Sequence, residues 1–207
     1  MSAPCWSAGT DNDILGNSHI HQINDGGNNI IDYTFMLCFD KETESKFKKI
    51  FEFIAESGVS RYMIETETPP HISITCFSTD NIELILNRLN EQLSSFKTGN
   101  IVWPSLGMFV PHTLFAAPVL NEYLLNACIN INRLIEPYST VGENGFYLPY
   151  NWIPHTTLAH KLKDGELQKA IDIALKHFSF IAGKSIRLNL VAYKSIPYEE
   201  IGSWDLI

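Results

Sequence analysis

Cysteines are few in this chain, and none is spaced like a metal ligand or a redox pair. Cys5, Cys38, Cys76 and Cys128 lie far apart, with no C-x-x-C pair among them. Cys38 and Cys76 fall inside apolar runs that are typical of buried strands. We therefore expect free buried thiols in a reducing cytoplasm, and neither disulfides nor a cysteine-bound metal.

Long hydrophobic runs are also missing. No stretch approaches the roughly 18 uninterrupted apolar residues of a membrane helix. The N-terminus lacks the basic start and apolar run of a signal or transit peptide. The 207 residues are 45% apolar, which is enough to bury a sizeable core as one large or two small lobes. These features predict a soluble, cytoplasmic globular protein with no membrane partner.

Positive charge is scarce. The chain has 15 Lys and Arg against 23 Asp and Glu, a formal net charge of −8. A protein that grips long nucleic acid needs many basic side chains to neutralise phosphates, so this charge disfavours that class of protein. A small anionic ligand held by a few local contacts remains compatible with it.

Several catalytic signatures are absent as well. The sequence contains no Walker-type glycine loop, no G-x-S-x-G elbow and no H-E-x-x-H motif. We accordingly expect no cofactor and no bound metal. His19 and His21 are spaced H-x-H, but a third ligand is missing nearby, so a solvated tail is the better interpretation.

The chain divides into two regions. Residues 1–29 are rich in Gly, Asn, Asp and Ser without helical or strand periodicity, which predicts an irregular leader. Residues 30–207 show regular patterns and are predicted to form one bilobed domain.

Apolar residues at helical spacing predict four helices in the second region. Ser78, Thr79 or Asp80 is expected to cap the second one, and the third is expected to stop before Pro137. The four predicted helices cover residues 40–58, 81–96, 121–136 and 164–178.

Extended segments separate these helices. Residues 100–120 predict two short strands around a turn, and residues 178–195 predict a strand pair joined near Gly183. The closing residues 203–207 suggest an edge strand. The other extended segments are residues 30–39, 61–77 and 153–162.

One short motif occurs twice. Residues 69–74 read PPHISI and residues 154–158 read PHTTL, so that a proline precedes a histidine, any residue, a hydroxyl residue and an aliphatic residue. His71 and His155 stand 84 positions apart. The order of helix, motif, helix, strand, strand also repeats, which predicts an internal duplication with two similar lobes facing each other.

Strand alternation gives the repeated motif a chemical meaning. It places His71 beside Ser73 on one face, and His155 beside Thr157 on one face of the second lobe. Two imidazoles can act as base and acid near neutral pH. Two hydroxyls can donate hydrogen bonds to the oxygens of a phosphoryl group. If they face each other across one cleft, these four side chains have the groups needed for phosphoryl transfer without a metal ion.

The two tetrapeptides HISI and HTTL, each behind a proline, resemble the signature of the 2H phosphoesterase superfamily, over roughly residues 30–207. That superfamily includes 2′-5′ RNA ligase-like proteins and cyclic nucleotide phosphodiesterases. The resemblance implies an α+β fold of two pseudo-symmetric lobes, each an antiparallel sheet backed by helices. It also implies that His71 and His155 are the catalytic pair and that Ser73 and Thr157 bind phosphate.

Plainer interpretations of the histidines stay open. A single histidine in an apolar strand is usually a satisfied core residue. His112 either lines the cleft or belongs to a turn, with the turn as the default. His160 falls on the core-facing side by alternation and is interpreted as structural.

The aromatic stretch 145–152, GFYLPYNW, has two interpretations. Aromatic faces stack on nucleobases without needing positive charge, which makes Tyr150 and Trp152 candidate substrate-binding residues. The alternative is a packed rim between the lobes.

The function predicted from these observations is metal-independent hydrolysis of a cyclic (2′,3′- or 1″,2″-) or 2′,5′-linked phosphodiester in a small nucleotide or short oligonucleotide. A non-catalytic nucleotide-binding module is one alternative, and RNA end-processing or 2′-5′ RNA ligation is another. The sequence leaves the exact substrate, the assignment of acid and base, and the oligomeric state open.

Overall fold

The computed structural model describes residues 31–193 and 197–207. The predicted leader, with Cys5, His19 and His21, lies outside the described residues, as does the predicted start of the domain at residue 30. The described cysteines Cys38, Cys76 and Cys128 are free and buried, as expected.

The described residues form ten strands and five helices. The helices are α1 Lys41–Glu56, α2 Tyr62–Glu65, α3 Ile82–Gln92, α4 Glu122–Ile135 and α5 Glu166–His177. The strands are β1 Ile31–Phe39, β2 His71–Ser73, β3 Phe77–Thr79, β4 Gly99–Trp103, β5 Ser105–Phe109, β6 Thr113–Ala117, β7 Thr140–Val141, β8 Thr156–Ala159, β9 Ile181–Ala192 and β10 Glu199–Asp205.

These strands pair antiparallel in two sheets within the described part of the chain. The large sheet has seven strands in the order β10-β9-β1-β3-β7, with β2 also paired to β1 and β4 to β9. The small sheet has three strands in the order β5-β6-β8. The α+β fold with two antiparallel sheets and helices is therefore confirmed. The first motif lies in the large sheet and the second in the small one.

The core lies against the helix-covered face of the large sheet. Tyr33, Phe35, Leu37 and Phe39 alternate along β1 and are all buried there, as a period of two requires. Their neighbours on α1 recur at helical spacing and are buried as well, namely Phe47, Ile50, Phe51 and Ile54. Trp103 packs edge-on against Phe39 and Phe47, with ring centroids 4.9 and 5.1 Å away.

The start of α1 is fixed by a capping residue. Asp40 Oδ1 accepts hydrogen bonds from the backbone N–H groups of Glu42 and Thr43, at 3.1 and 3.0 Å. Such a cap satisfies amides that have no partner inside the helix. The first predicted helix is confirmed, with its end at Glu56.

The predicted strand pair around Gly183 is wrong, because β9 runs unbroken through this residue. The glycine lets the Thr43 side chain approach the strand closely and does not form a turn. A Cβ atom at Gly183 would lie 2.0 Å from Thr43 Oγ1. That buried hydroxyl donates to Asp40 Oδ2 at 2.7 Å. Gly183 therefore makes room for the residue that completes the α1 cap.

Three other local predictions need correction. Residues 61–77 are not extended throughout, because α2 occupies Tyr62–Glu65. The residue before α3 is Asn81, without a side-chain cap, while the Thr79 hydroxyl accepts from the Asn81 amide at 3.1 Å. Residues 100–120 form three strands, since Pro104 separates β4 from β5 and the two strands belong to different sheets.

We predict that Gly183→Ala lowers the free energy of unfolding by about 1–3 kcal/mol, the usual cost of overpacking. Urea unfolding would measure it. In a Thr43→Ala background the cost should be smaller, because only the Cβ of residue 43, 2.8 Å from the new methyl group, would remain. An equal cost in both backgrounds would show that contact with Thr43 is not what requires glycine.

Candidate active site

The two motif histidines occupy matching places in the two sheets. His71 begins β2, and its register partner on β1 is Cys38. His155 directly precedes β8. Ile72 and Leu158, the residues next to the motif hydroxyls, are fully buried in the core. The alternation predicted from the sequence is thus present in both motifs.

Both imidazoles are anchored by the same local hydrogen bond. His71 Nδ1 lies 2.8 Å from the carbonyl oxygen of Pro69, and His155 Nδ1 lies 2.8 Å from that of Ile153. A carbonyl oxygen can only accept, so Nδ1 carries the hydrogen in each ring. In the neutral form, Nε2 is then the basic nitrogen. Each motif therefore presents one defined tautomer.

The residue between histidine and carbonyl is a proline in both motifs, Pro70 and Pro154. Its ring fixes φ, and it biases the preceding residue toward extended backbone. The turn that brings the carbonyl to Nδ1 thus loses little conformational freedom on folding. This gives the repeated P-H dipeptide a structural reason.

The pKa values of both histidines are lowered, and His155 contributes to the shift of His71. Burial lowers the pKa of His71 to about 4, and the nearby His155 lowers it further, while the hydrogen bond to Pro69 acts in the opposite direction. Burial also lowers the pKa of His155, again against its backbone hydrogen bond. Because β2 packs against β8 and charge repulsion needs proximity, the two histidines lie near each other. Both are mainly neutral at pH 7 in the free protein.

Aromatic rings of the small sheet contact the second histidine. The Phe109 ring is perpendicular to the His155 ring at 5.0 Å between centroids, and Phe115 lies at 5.3 Å. Phe115 reaches this position over Gly107, where a Cβ atom would lie 2.3 Å from its ring. These contacts restrict the imidazole and contribute to its burial.

The motif hydroxyls differ in exposure. Ser73 is only 6% exposed, whereas Thr157 is half-buried. Thr75, two residues after Ser73, is fully buried, and its hydroxyl has no hydrogen-bond partner within residues 31–193 and 197–207. The Thr75 carbonyl accepts from the Thr34 hydroxyl.

The two candidate aromatic residues lie in different environments. Tyr150 is 83% exposed and has a left-handed backbone with φ of 71°. Trp152 is 6% exposed and packs in the core. Its indole N–H donates to the carbonyl of Ser73 at 3.0 Å. Trp152 therefore ties the segment before the second motif to the backbone of the first.

A small hollow beside His155 is lined by Phe109, Phe146, Tyr147, Asn151, Trp152 and Ile153.

His112 and His160 are held by structural contacts. His112 Nδ1 lies 2.7 Å from the carbonyl of Leu162, whose amide donates back to the His112 carbonyl at 3.1 Å. His160 Nδ1 lies 2.8 Å from the Thr113 hydroxyl, and its ring packs edge-on against Tyr62. These contacts favour the turn and structural interpretations.

Two polar residues of the large sheet are not recognisable from the motifs. Arg187 is the register partner of Cys38 on β9, and Asn189 is the register partner of Met36. They therefore share the sheet face of His71 and Ser73. Their signal in the sequence is the polar and apolar alternation of RLNLV, which assigns a face only once β9 is known to be continuous.

Within the described ranges, no group of three His, Cys, Asp or Glu side chains is arranged to hold a metal ion. In the same residues, no helix combines the length and the apolar character that crossing a membrane requires.

We predict that His155→Ala raises the pKa of His71, because it removes one of the two causes that lower it. The shift should be partial, since burial is the larger cause. NMR titration of the imidazole resonances would measure it, with His112→Asn as the control that leaves His71 unchanged. A His71 pKa that does not respond to His155→Ala would show that the rings do not share one site.

The chain has the fold of E. coli LigT, a 2H phosphoesterase family protein. The apo LigT structure superposes with a TM-score of 0.53 at 11% identity and covers 86% of this chain and 98% of LigT. The complex with 3′-AMP gives 0.55 at 10% identity over 86% and 99% of the two chains. The complex with NADP⁺ gives 0.50 at 10% over the same shares.

At such low identity, this likeness establishes the fold. Neither a protein-family model nor a curated protein sequence matches the chain. The fold implied by the two tetrapeptides HISI and HTTL is therefore confirmed through three-dimensional structure.

Proposed function

We propose that this protein is a phosphodiesterase that uses His71 and His155 as general acid and base, without a metal. The observation that carries the proposal is the pair of imidazoles that the packing of β2 against β8 brings near each other, each anchored through Nδ1 to a backbone carbonyl. Two imidazoles anchored in this way each leave a basic Nε2 atom for catalysis, and proton transfer on both sides of a phosphorus atom requires two such groups.

The proposed step is an in-line displacement at phosphorus. One neutral imidazole accepts a proton through Nε2 from the attacking water, whose oxygen forms the new bond to phosphorus. The other, protonated imidazole donates its proton to the leaving ribose oxygen as the old bond breaks. Ser73 and Thr157 donate hydrogen bonds to the non-bridging oxygens, where negative charge is concentrated. Protons and charge balance without a further reactant.

The low pKa values of the free histidines fit this scheme once substrate is considered. A bound phosphodiester brings a negative charge into a site where burial disfavours the imidazolium. An opposite charge within about 4–6 Å favours the protonated form. Substrate binding should therefore supply the counter-charge that the catalytic acid needs.

We infer that the substrate is a small nucleotide with a cyclic (2′,3′- or 1″,2″-) or 2′,5′-linked phosphodiester. The LigT structures that share this fold hold 3′-AMP or NADP⁺, both of nucleotide size. The net charge of −8 also favours a ligand held by local contacts over a long polyanion. Tyr150 is the exposed aromatic residue that we assign to base stacking, and Trp152 supports the site through its bond to Ser73.

We place the protein in the cytoplasm, in keeping with its buried free thiols.

A non-catalytic nucleotide-binding module is the second candidate. One observation favours it: the pKa values of both histidines are lowered, so neither carries the acid proton in the free protein at pH 7. RNA end-processing or 2′-5′ ligation is disfavoured by the acidic net charge. An activity assay separates these alternatives.

The first functional prediction is turnover that survives excess EDTA, in a panel of 2′,3′-cyclic mononucleotides, 2′,5′-linked dinucleotides and ADP-ribose 1″,2″-cyclic phosphate. His71→Ala and His155→Ala should each lower kcat by about 10²–10⁴-fold, the usual range for acid–base groups. His112→Asn serves as the matched control outside the site. Loss of activity in EDTA that a divalent ion restores would contradict the two-histidine mechanism. Ligand binding without any turnover would favour the binding module.

The second concerns pH. Because one imidazole must be neutral and the other protonated, kcat/KM should follow a bell-shaped profile whose two pKa values belong to the pair. Both free histidines have lowered pKa values, so the maximum of kcat/KM should lie below about pH 6.5, the ordinary histidine value. The maximum of kcat, which reports the complex, should lie higher. A flat profile would argue against an acid–base pair.

A further inference from the structure

A row of side chains leads away from His71 across the large sheet. Antiparallel register pairs His71 with Cys38, Cys38 with Arg187, and Arg187 with Asp205 on β10. Directly paired residues point to the same face of an antiparallel sheet. This row, which we call the arginine row, therefore continues the face that carries the candidate catalytic histidine.

Arg187 is half-buried in this row and has donor capacity to spare. Its Nε atom is buried and lacks a hydrogen-bond partner in the described part of the chain. A buried donor without a partner costs free energy. The guanidinium lies next to the Cys38 thiol, since it lowers the Cys38 pKa, which burial raises to about 12 overall. A thiol is a weak acceptor and cannot neutralise the arginine.

Carboxylates near the row do not neutralise it either. Glu44 and Glu200 raise the Cys38 pKa and so lie in the neighbourhood, but Glu44 contacts Lys48 and Glu200 accepts from Asn189. Asp205, opposite Arg187, is exposed to solvent. Among the described residues, no ion pair within 4.0 Å joins Arg187 to any of them. A planar cation with donors to spare thus lies beside Cys38, on the same sheet face as His71.

The neighbouring row has no such capacity. Asn189 Nδ2 donates to Glu200 Oε2 at 2.7 Å, and the Ser203 hydroxyl donates to Asn189 Oδ1 at 2.9 Å. These three polar side chains satisfy one another. Of these two rows of β9, the arginine row is therefore the one with donors left to bind an anion.

We propose that Arg187 binds a second, non-scissile phosphate of the substrate, so that the substrate class is a nucleotide phosphorylated at a position beyond the bond that is cleaved. The inference rests on the proposed function, because the scissile phosphate is placed at the two histidines. Two inter-strand spacings, about 10 Å between Cα atoms, separate Arg187 from His71. Because the arginine side chain is long, the distance left between its guanidinium and His71 is comparable to the distance between the 3′- and 5′-phosphates of one nucleoside. Guanidinium groups favour such phosphates through paired, charge-assisted hydrogen bonds.

Calorimetric binding of adenosine 3′-monophosphate and adenosine 3′,5′-bisphosphate tests the proposal without requiring turnover. The wild-type chain should bind the bisphosphate about ten- to a hundred-fold more tightly, the range expected for charge-assisted hydrogen bonds. Arg187→Met keeps a long side chain over Cys38 but removes the charge, and should abolish the preference. Binding of the monophosphate should change little.

Lys184→Met is the matched control, because it removes one positive charge from an exposed residue of the same strand. It should keep the preference for the bisphosphate. Should Arg187→Met fail to fold, Arg187→Lys gives the same information. Its single ammonium should keep part of the preference and lose at least about threefold, because it cannot form the paired hydrogen bonds.

Equal affinity of the wild type for both ligands, or no binding of either, would overturn the proposal. A preference that survives Arg187→Met, or that Lys184→Met removes equally, would overturn it as well. The hydrolysis assay is separate: turnover without a bisphosphate preference contradicts only the role of Arg187. An Arg187-dependent preference without turnover supports that role and contradicts hydrolysis.

Discussion

The hydrogen bond from each histidine Nδ1 to the carbonyl two residues earlier is the constraint on which the candidate site depends. It acts within three residues, and the intervening Pro70 or Pro154 restricts the backbone that makes it possible. Because the bond fixes both the ring orientation and the tautomer, each motif delivers a basic Nε2 independently of the other. Two copies of this short hydrogen-bonded motif can therefore form one site, provided that the fold brings the copies together.

Bringing them together has an electrostatic cost that the fold does not relieve by itself. Two half-buried imidazoles near each other resist simultaneous protonation, and the pKa of His71 near 4 reflects desolvation first and that repulsion second. A phosphate between them would reverse the balance, since its negative charge favours an imidazolium. The same reasoning applies to Arg187, which is buried enough to lose solvent but has no carboxylate paired with it in the described residues. Binding of an anion is therefore what the proposed function requires of this face of the sheet.

The sequence allowed prediction of those features that arise from local patterns. The four motif side chains, the four longer helices and the α+β class follow from spacing, alternation and proline. The turn predicted near Gly183 was wrong because glycine is needed there for another reason. Thr43, far away in the chain, occupies the space that a Cβ atom at residue 183 would fill. Arg187 escaped notice for a related reason, since its face is defined only by the continuity of β9. The burial of Trp152 depends on Ser73, which no local pattern connects to it.

Hydrogen bonds from other elements position the backbone of the two motifs. Trp152, just before the second motif, donates to the Ser73 carbonyl of the first, and Trp103 on β4 donates to the Thr156 hydroxyl at 3.1 Å. Asn132 on α4 adds hydrogen bonds to the carbonyls of Ile74 and Tyr147, at 3.3 and 3.2 Å. Three of these four bonds end within a motif, on Ser73, Thr156 or Ile74, and the fourth ends on Tyr147 in the segment that leads to the second motif. The prolines orient each histidine locally, whereas Trp152 and Asn132 tie the first motif to the segment before the second, and a histidine pair needs both kinds of constraint.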